Sequence, residues 1–200
     1  MNPGARPRVV HVITRLIAGG AQENTLLSCR ALQESFDVHL VSGPPEGTEG
    51  SLVDEARRQG IRTTILPELV RAVSPRRDAE TLRRLAGIFE AERPAVVHTH
   101  SSKAGILGRA AAWIARVPLI VHTNHGLPFY PGQPWPLRAA WWALEWAATR
   151  RTHAVVCVGE EMRRQSVRAR LGPHALFEFI RSGIELARFA AARSARARRG

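Results

Sequence analysis

The residues best suited to chemistry are the polar side chains of HTNHGLPF, residues 122–129. This segment follows an apolar run, residues 117–121, that is typical of a buried strand. Asn124, His125 and Gly126 then lead into a loop rich in proline and glycine. Imidazole and amide groups at the carboxyl end of a parallel strand lie where open α/β sheets bind ligands. We therefore expect this segment to line a ligand site.

A second group of candidates lies in HTHSSKAGILGR, residues 98–109. His98 and His100 alternate at the end of a predicted strand. Ser101 or Ser102 is expected to cap the helix that follows. The sequence thus predicts imidazoles and a helix amino terminus at one point of the chain.

Lys103 falls in the first turn of that helix, where a cation is unfavourable for the helix dipole. This position indicates either a lysine that contacts a bound anion or an ordinary surface lysine. Without further context, the surface lysine is the favoured interpretation.

The histidines of the two segments come together if their strands are neighbours, so a metal site must be considered. No Asp, Glu or Cys lies in either segment. The spacings also match no common zinc pattern. Hydrogen bonding of imidazole to hydroxyls or phosphates fits the composition better, and we expect no metal.

Two adjacent glycines, Gly19 and Gly20, lie in RLIAGGAQ, residues 15–22, between the first predicted strand and the first helix. Backbone amides can approach a phosphate or a sugar closely there, and the helix amino terminus adds a partial positive charge. The string lacks the three spaced glycines of a dinucleotide site and the Lys-Ser/Thr pair of a phosphate loop. By itself it indicates a tight connection rather than a binding site.

The segment PWPLRAAWWALEWAAT, residues 134–149, predicts a tryptophan-rich helix. Its large apolar side chains form two stripes, Trp135, Trp142 and Trp146 on one and Leu137, Trp141 and Leu144 on the other. Packing against the sheet is the favoured interpretation. Contact with a lipid headgroup layer is the alternative, because the helix combines a high density of tryptophan with nearby arginines.

The elements that must position these residues follow one another as strand and helix. Strands are predicted at residues 8–13, 37–42, 61–66, 95–99, 117–123, 154–158 and 176–180. Helices are predicted at residues 21–33, 51–59, 78–92, 101–116, 135–150 and 160–170. The strands are apolar runs without in/out alternation, so we expect one Rossmann-like α/β domain, a mostly parallel sheet with helices on both faces.

The composition fits one globular domain in a reducing compartment. The chain has 200 residues, 44% of them hydrophobic, which is enough for one sizeable core. Cys29 and Cys157 lie far apart in apolar surroundings, so two buried free thiols are expected. We predict neither a secretion signal nor a membrane span, and therefore a cytoplasmic chain.

The net charge of +12 comes almost entirely from arginine. The last stretch is especially basic and contains Arg188, Arg193, Arg196, Arg198 and Arg199. Such a run can attract anionic lipid or nucleic acid. No basic-aromatic binding platform accompanies it, so a solvated tail is favoured and no nucleic-acid partner is expected.

Taken together and in this order, five stretches resemble the amino-terminal domain of family-4 glycosyltransferases. They are AGGAQ, HTHSSKAGILGR, HTNHGLPF, EEMRRQ and RSGIELARF, within a resemblance that runs from Val9 to Phe189. That family has two Rossmann-like domains facing one another across a cleft, the GT-B arrangement. The resemblance implies that residues 1–187 form the first domain. Residues 188–200 would then be an Arg-rich tail that begins the linker to a second domain.

The resemblance also implies an activity and a set of site residues. The activity is transfer of a sugar, with retention of anomeric configuration, from a nucleotide-sugar donor to a lipid or glycan acceptor. This chain would be the acceptor-side half, with no cofactor, because the nucleotide sugar is a substrate. His125 would lie beside the transferred sugar as the catalytic residue. The implied donor- or acceptor-binding residues are Gly19, Gly20, Gln22, His100, Lys103, Asn124, Gly126 and Glu161.

Two departures from the family pattern shape the expectation. Gly159 stands before Glu160 where the family pattern has Ser, which places a polar contact there in doubt. The donor-binding second domain is not within the 200 residues, so we expect the chain alone to transfer little or no sugar. It is then either a fragment or a non-catalytic acceptor-binding subunit whose donor-binding domain is supplied in trans. Peripheral membrane contact through the helix of Trp135 and Trp146 is a further expectation.

Overall fold

Seven strands form one sheet in the part of the chain that the computed structural model describes, residues 6–184. They are β1 (Arg8–Ile13), β2 (Asp37–Ser42), β3 (Arg62–Ile65), β4 (Val96–His100), β5 (Leu119–Asn124), β6 (Ala154–Cys157) and β7 (Phe177–Phe179). All neighbouring pairs are parallel, in the order β3-β2-β1-β4-β5-β6-β7. The predicted Rossmann-like layout is confirmed. The predicted domain end at residue 187 and the Arg-rich tail, 188–200, lie outside the described residues.

Six helices alternate with these strands. They are α1 (Gly20–Leu32), α2 (Val53–Arg58), α3 (Pro75–Glu92), α4 (Ser102–Ile114), α5 (Trp135–Thr149) and α6 (Glu160–Arg168). The element order agrees with the prediction, and the boundaries differ by up to three residues. The helix α3 begins at Pro75 rather than Asp78, because proline suits the first turn of a helix. The strand β5 begins after Pro118, which has no N–H to give to a neighbouring strand.

The core lies on both faces of the sheet. Val10 and Val12 of β1 pack in the cluster that contains side chains of α3 and α4. Ile13 of the same strand packs in the cluster formed with α1 and α2. Residues of opposite parity on one strand point to opposite faces, so β1 is covered on both sides. This explains why the strand sequences are apolar runs rather than alternating patterns.

The helix α4 lies unusually close to the sheet because two of its glycines face strand side chains. A Cβ at Gly105 would lie 2.6 Å from Cε1 of His122, and one at Gly108 would lie 2.7 Å from Cγ2 of Thr99. Neither a strand-borne ring nor a β-branched side chain gives way easily. The small residues of the KAGILGR stretch therefore set the distance between α4 and the strands that carry the candidate site.

The favoured core packing of the tryptophan-rich helix α5 is wrong for most of its side chains. Trp135 is 80% exposed, and Leu137 and Leu144 are each 48% exposed. The buried residues of α5 are Glu145 and Thr149. Glu145 forms an ion pair of 2.7 Å with the fully buried Arg109 of α4, and this charge pair anchors the helix together with Trp146, which packs against the core cluster at β6 and β7.

The expectation of two buried free thiols is met within residues 6–184. Cys29 and Cys157 are both free and buried. None of the helices in this range combines the length and the apolar character that crossing a lipid bilayer demands.

Candidate functional site

The candidate site lies where the strand order reverses, between β1 and β4. Such a switch point is where open α/β sheets bind ligands. His11 of β1 is the register partner of His98 of β4, and His100 follows on the same face of β4. On the other side of β4, Thr123 of β5 is the register partner of His100. The two strands β4 and β5 are thus neighbours, which is the condition for the histidines of the two segments to come together.

Three imidazoles form a continuous hydrogen-bonded chain that we call the histidine chain: His11, His100 and His125. Nδ1 of His11 lies 3.0 Å from Nε2 of His100. Nδ1 of His100 lies 3.4 Å from Nε2 of His125. The ring of His98 contacts that of His100 at a tilt of 32°, with centroids 4.3 Å apart, but His98 bonds to Thr123 instead.

Burial keeps these imidazoles neutral. Desolvation lowers the pKa of His11 to about 4. Desolvation, reinforced by the neighbouring histidines, holds the pKa values of His98 and His100 well below the usual value. The pKa of His125 is lowered by the same cause. A neutral imidazole donates one hydrogen bond and accepts one, so the cluster offers hydrogen-bonding groups rather than cations.

His122 does not join this cluster, which corrects the expectation that it would. It lies on the opposite face of the sheet, against Gly105 of α4, with Nδ1 2.9 Å from Oγ1 of Thr99. Desolvation, followed by the nearby Arg109 guanidinium, holds its pKa well below the usual value. Its role in the described structure is to support α4.

Asn124 shapes the loop that carries His125. Its side-chain oxygen accepts a hydrogen bond of 3.0 Å from the backbone N–H of Gly126, an Asx turn. Its amide lies 3.5 Å from the Ser166 hydroxyl of α6, and the residue is buried. Asn124 therefore positions the loop, while Gly126 is exposed at its surface.

His125 opens into a cavity of about 640 Å³ that we call the His125 cleft. It is lined by Gly20, Ala21, Ser51, Val158 and Ser182 among other residues. The predicted Gly19–Gly20 turn and the HTNHGLPF segment thus meet at one cleft. Gly19 is the N-cap of α1 with an extended backbone, and a Cβ at Gly20 would meet nothing within 4 Å.

Gln22 and Lys103 line a second, smaller cavity of about 320 Å³, which we call the arginine hollow. Arg15, Arg71 and Trp141 also line it. Four of the predicted site residues therefore line these two hollows, Gly20 and His125 in the His125 cleft and Gln22 and Lys103 in the arginine hollow.

Lys103 is buried, so its interpretation as an ordinary surface lysine is wrong. Its ammonium forms an ion pair of 2.5 Å with Asp78 of α3 and donates to the carbonyl of Ala72. A protein carboxylate thus compensates the cation in the first turn of α4. Arg15 and Arg71 are left as the hollow's cations without an acidic partner among the described contacts.

Neither serine at the start of α4 caps it through its hydroxyl. Ser101 occupies the N-cap position with φ 61, a left-handed backbone that is rare for a residue with a Cβ. Its hydroxyl lies 2.7 Å from Oγ1 of Thr14. That Thr14 oxygen accepts the hydrogen bond of 3.1 Å from the backbone N–H of Ala104. The cap of α4 is therefore supplied by the end of β1.

Glu161 lies apart from both hollows. It is an exposed residue in the first turn of α6, with Arg168 at 3.6 Å. Gly159, the N-cap of the same helix, has an extended backbone and no side chain to offer. Val158, directly before it, reaches the His125 cleft. The structure thus brings the end of β6 to the cleft, and not the Glu161 carboxylate.

The sequence interpretation missed His11 and the Arg109–Glu145 pair. A signal for His11 was available, because β1 and β4 are neighbours in the strand order 3-2-1-4 of Rossmann-like sheets. The repeated VVH of Val9–His11 and Val96–His98 then places two histidines side by side. For Arg109 and Glu145 there was no comparable signal, since they lie 36 residues apart on different helices.

Comparison with known proteins gives a family for most of the chain. Residues 18–188 match the family described as Glycosyltransferase Family 4. The chain is also similar to UDP-Gal:alpha-D-GlcNAc-diphosphoundecaprenol alpha-1,3-galactosyltransferase of Escherichia coli. The two are 30% identical over 189 residues, which is 92% of this chain and 47% of that protein. The chain thus spans about half the length of the curated relative that it matches.

Solved structures show the same fold at low sequence identity. A glycosyltransferase from Rickettsia africae ESF-5 matches with a TM-score of 0.65 and 16% identity, over 90% of this chain and 44% of that one. The UDP-GlcNAc 2-epimerase of Neisseria meningitidis, bound to UDP-GlcNAc, matches with a TM-score of 0.62 and 15% identity, over 86% and 45%. Acinetobacter baumannii MurG matches with a TM-score of 0.58 and 10% identity, over 90% and 46%.

Proposed function

The chain belongs to glycosyltransferase family 4 as an amino-terminal GT-B domain, and from this premise we propose that it is the acceptor-side half of a retaining enzyme. The enzyme would transfer a sugar from a nucleotide-sugar donor to a lipid-linked glycan. The observation that carries the proposal is the His125 cleft, because the amino terminus of α1 and His125 meet there. The family match and this cleft together support a sugar-transfer site.

The His125 cleft suits the sugar and phosphate end of a nucleotide sugar. The first amides of α1 have no partner within the helix, and the helix dipole favours an anion beside them. The open space over Gly20 lets a phosphate approach the backbone. A departing nucleoside diphosphate gains negative charge, so fixed donors of this kind stabilise the transition state more than the ground state. His125 would lie beside the transferred sugar and bond to it.

The arginine hollow suits the diphosphate of a lipid-linked acceptor. The E. coli relative is named for a GlcNAc-diphosphoundecaprenol acceptor, and we propose the same chemical class here, a glycan on a polyprenyl diphosphate. Arg15 and Arg71 would pair with the diphosphate, because guanidinium groups match phosphate oxygens in geometry. Trp141 in the wall of the hollow would meet the first isoprene units.

The exposed face of α5 would bring this hollow to a membrane surface. Trp135, Leu137 and Leu144 are largely exposed. Arg150 lies over the ring of Trp146, with its guanidinium carbon 4.0 Å from the ring centroid. Exposed tryptophan and leucine beside arginine suit the headgroup layer of an anionic bilayer. The proposal therefore includes peripheral membrane contact through α5.

A second candidate function is a non-catalytic subunit that holds the acceptor. The arginine hollow favours it, since that hollow would bind a lipid-linked glycan without any donor domain. In both cases turnover requires a donor-binding domain, on the same polypeptide or on another. Purification of the chain from its native cells separates the two, because a subunit retains a donor-binding partner and a transferase half does not.

The decisive experiment joins the chain to the carboxyl-terminal half of the E. coli relative in one polypeptide. The fusion is given radiolabelled UDP-galactose and GlcNAc on a short-chain polyprenyl diphosphate, and lipid-linked product is measured. We expect α-linked product from the fusion and little or none from the 200-residue chain alone. Product anomericity is read by NMR, and a β-linked product would refute retention.

The acceptor side is tested independently of turnover. The chain is sedimented with anionic vesicles that contain or lack the polyprenyl-diphosphate glycan. Arg15→Ala with Arg71→Ala should abolish the gain in binding due to the glycolipid, and Trp135→Ser with Leu137→Ser should weaken binding to both vesicles. Arg83→Ala is the matched control, because Arg83 pairs with Glu80 on the surface of α3. Failure of both the fusion and the vesicle assay, while the E. coli enzyme works, would overturn the proposed function.

A further inference from the structure

We infer that His11 and His100 are positioning residues that fix which ring nitrogen of His125 carries its hydrogen, so that His125 presents Nδ1–H to its substrate. The inference rests on the proposed place of His125 beside the transferred sugar. It goes further because it assigns a direction to the histidine chain and a donor atom to His125.

The first step is the geometry of the chain. Both nitrogens of His100 are engaged, Nε2 with His11 at 3.0 Å and Nδ1 with His125 at 3.4 Å. The rings of His11 and His100 are nearly parallel, at 15°, with centroids 5.3 Å apart. In each contact between neutral imidazoles one nitrogen donates and the other accepts, so the two hydrogen bonds must run in the same direction.

The second step is that the two directions are unequal. Nε2 of His11 is buried and has no hydrogen-bond partner among the described residues. If the chain ran from His125 toward His11, that nitrogen would carry an N–H with no acceptor, and orphaned N–H groups are rare in folded proteins. If it runs from His11 toward His125, only a lone pair is left unmatched there. The structure therefore favours donation outward, from Nδ1 of His11 to His100 and from Nδ1 of His100 to Nε2 of His125.

The third step is the consequence for His125. With Nε2 accepting, its hydrogen must be on Nδ1, for which no partner is found within residues 6–184. Histidine in water favours the opposite tautomer, with the hydrogen on Nε2. The histidine chain thus reverses the intrinsic preference and leaves His125 with one donor, suited to a sugar hydroxyl or a phosphate oxygen.

A metal ion is the competing explanation for the cluster. His11, His98 and His100 offer one nitrogen each, and these three atoms lie within 4.8 Å of one another. A zinc ion held by all three imidazoles would take one nitrogen of each ring at about 2.0–2.1 Å. The bond from His98 to Thr123 and one of the two bonds of His100 would then be lost. Hydrogen bonding accounts for the geometry as it stands.

The test is nitrogen-15 NMR of the imidazole rings in the full 200-residue chain. Two-bond proton–nitrogen spectra distinguish the tautomers, and His125→Ala assigns the His125 signals. We expect the Nδ1–H form of wild-type His125 to exceed the Nε2–H form by about tenfold or more, from the cost of a buried unpaired N–H. An Nε2–H form in the wild-type chain would overturn the inference. So would stoichiometric zinc in the purified protein.

Two variants at one position test the mechanism. His100→Gln places its amide where Nε2 stood and loses the donor to His125, so His125 should return to the Nε2–H form. His100→Asn places its amide where Nδ1 stood and should retain the Nδ1–H form. His98→Gln is the matched control, since the ring of His98 contacts that of His100 in the same cluster but His98 bonds to Thr123. If His125 is unchanged in His100→Gln, the inference is wrong. Because none of these spectra depends on sugar transfer, an inactive fusion with an Nδ1–H His125 would count against the proposed function alone.

Discussion

Mild acid should destabilise this domain strongly before its carboxylates are protonated, because several imidazoles are buried in the neutral form. His11, His100 and His122 have at most 4% of their surface exposed. Burial lowers the pKa of His11 to about 4 and holds the pKa values of His100 and His122 well below the usual value. Unfolding exposes these rings to water, where they bind protons below about pH 6.5.

The sign and size of the effect follow from proton linkage. A histidine is charged when it is protonated. If folding lowers its pKa, the residue does not reduce the free energy of unfolding above about pH 6.5, but that free energy falls as the pH drops toward the folded-state pKa. For His11 the fall from 6.5 to about 4 corresponds to about 3 kcal/mol. Three protons taken up on unfolding give a slope of about 4 kcal/mol per pH unit near pH 5.5. The loss accumulated between pH 6.5 and pH 5 is then about 6 kcal/mol, which equals the whole stability of a domain near the lower end of the range of about 5–15 kcal/mol.

The assay is urea unfolding followed by tryptophan fluorescence at several pH values between 8 and 5, about half a unit apart. The pKa values of Glu80 and Glu160 are lowered by pairing with Arg83 and Arg163, so any stability from these carboxylates is lost only at lower pH. His11→Gln should reduce the slope by about one proton, or about 1.4 kcal/mol per pH unit. His174→Gln, at an exposed position outside the cluster, is the control. A free energy of unfolding that stays constant between pH 7 and 5.5 would refute the reasoning.

Three further outcomes are expected. Glu145→Ala should cost about 3–5 kcal/mol because it leaves Arg109 buried and unpaired, and the double variant with Arg109→Met and Glu145→Leu should recover most of it in urea unfolding. Gly105→Ala should lower the melting temperature by creating a clash worth about 1–3 kcal/mol, whereas Gly87→Ala, on the exposed side of α3, should be neutral or gain up to about 1 kcal/mol. Because burial raises the pKa of Cys157 to about 11, its alkylation at pH 8 should be slow in the folded chain and fast in urea. Rapid alkylation of both thiols without denaturant would contradict that burial.

The sheet could be predicted from the sequence because each buried parallel strand has a recognisable local sequence pattern. RVVHVI, DVHLVS and AVVC are short, β-branched and apolar on both faces, and glycine or proline punctuates the connections. Successive strands of such sheets are usually neighbours, and in the described sheet this holds for every successive pair except β3 and β4, which the alternation of strands and helices does not reveal. The sequence therefore predicts that His98, His100 and His125 each lie at or just after the carboxyl end of a strand, the edge at which parallel sheets bind ligands.

What could not be predicted depends on partners distant in sequence. The tryptophan-rich stretch has helical spacing, but spacing alone does not tell whether a stripe meets a sheet or solvent. The answer lay in Glu145, whose partner Arg109 is on another helix. In the same way Lys103 looked like a misplaced surface cation, because Asp78 lies on α3 and enters the first turn of α4 only through tertiary packing. Long-range charge pairs have no periodicity to detect.

The histidine chain differs in kind from His39, another buried histidine of the sheet. His39 of β2 is almost fully buried, and both of its nitrogens have partners, Glu92 at 3.1 Å and Thr64 at 2.8 Å. That arrangement is complete in itself and explains the residue by folding alone. His11 has one nitrogen without a partner in the described structure, and its chain ends at His125 in an open cleft. Apolar side chains at these positions would avoid the acid-sensitive cost, so stability does not explain the cluster. Buried polar groups that do not serve stability are expected where a site performs a function. The histidine chain lies at the switch point of the sheet, where such a site is expected.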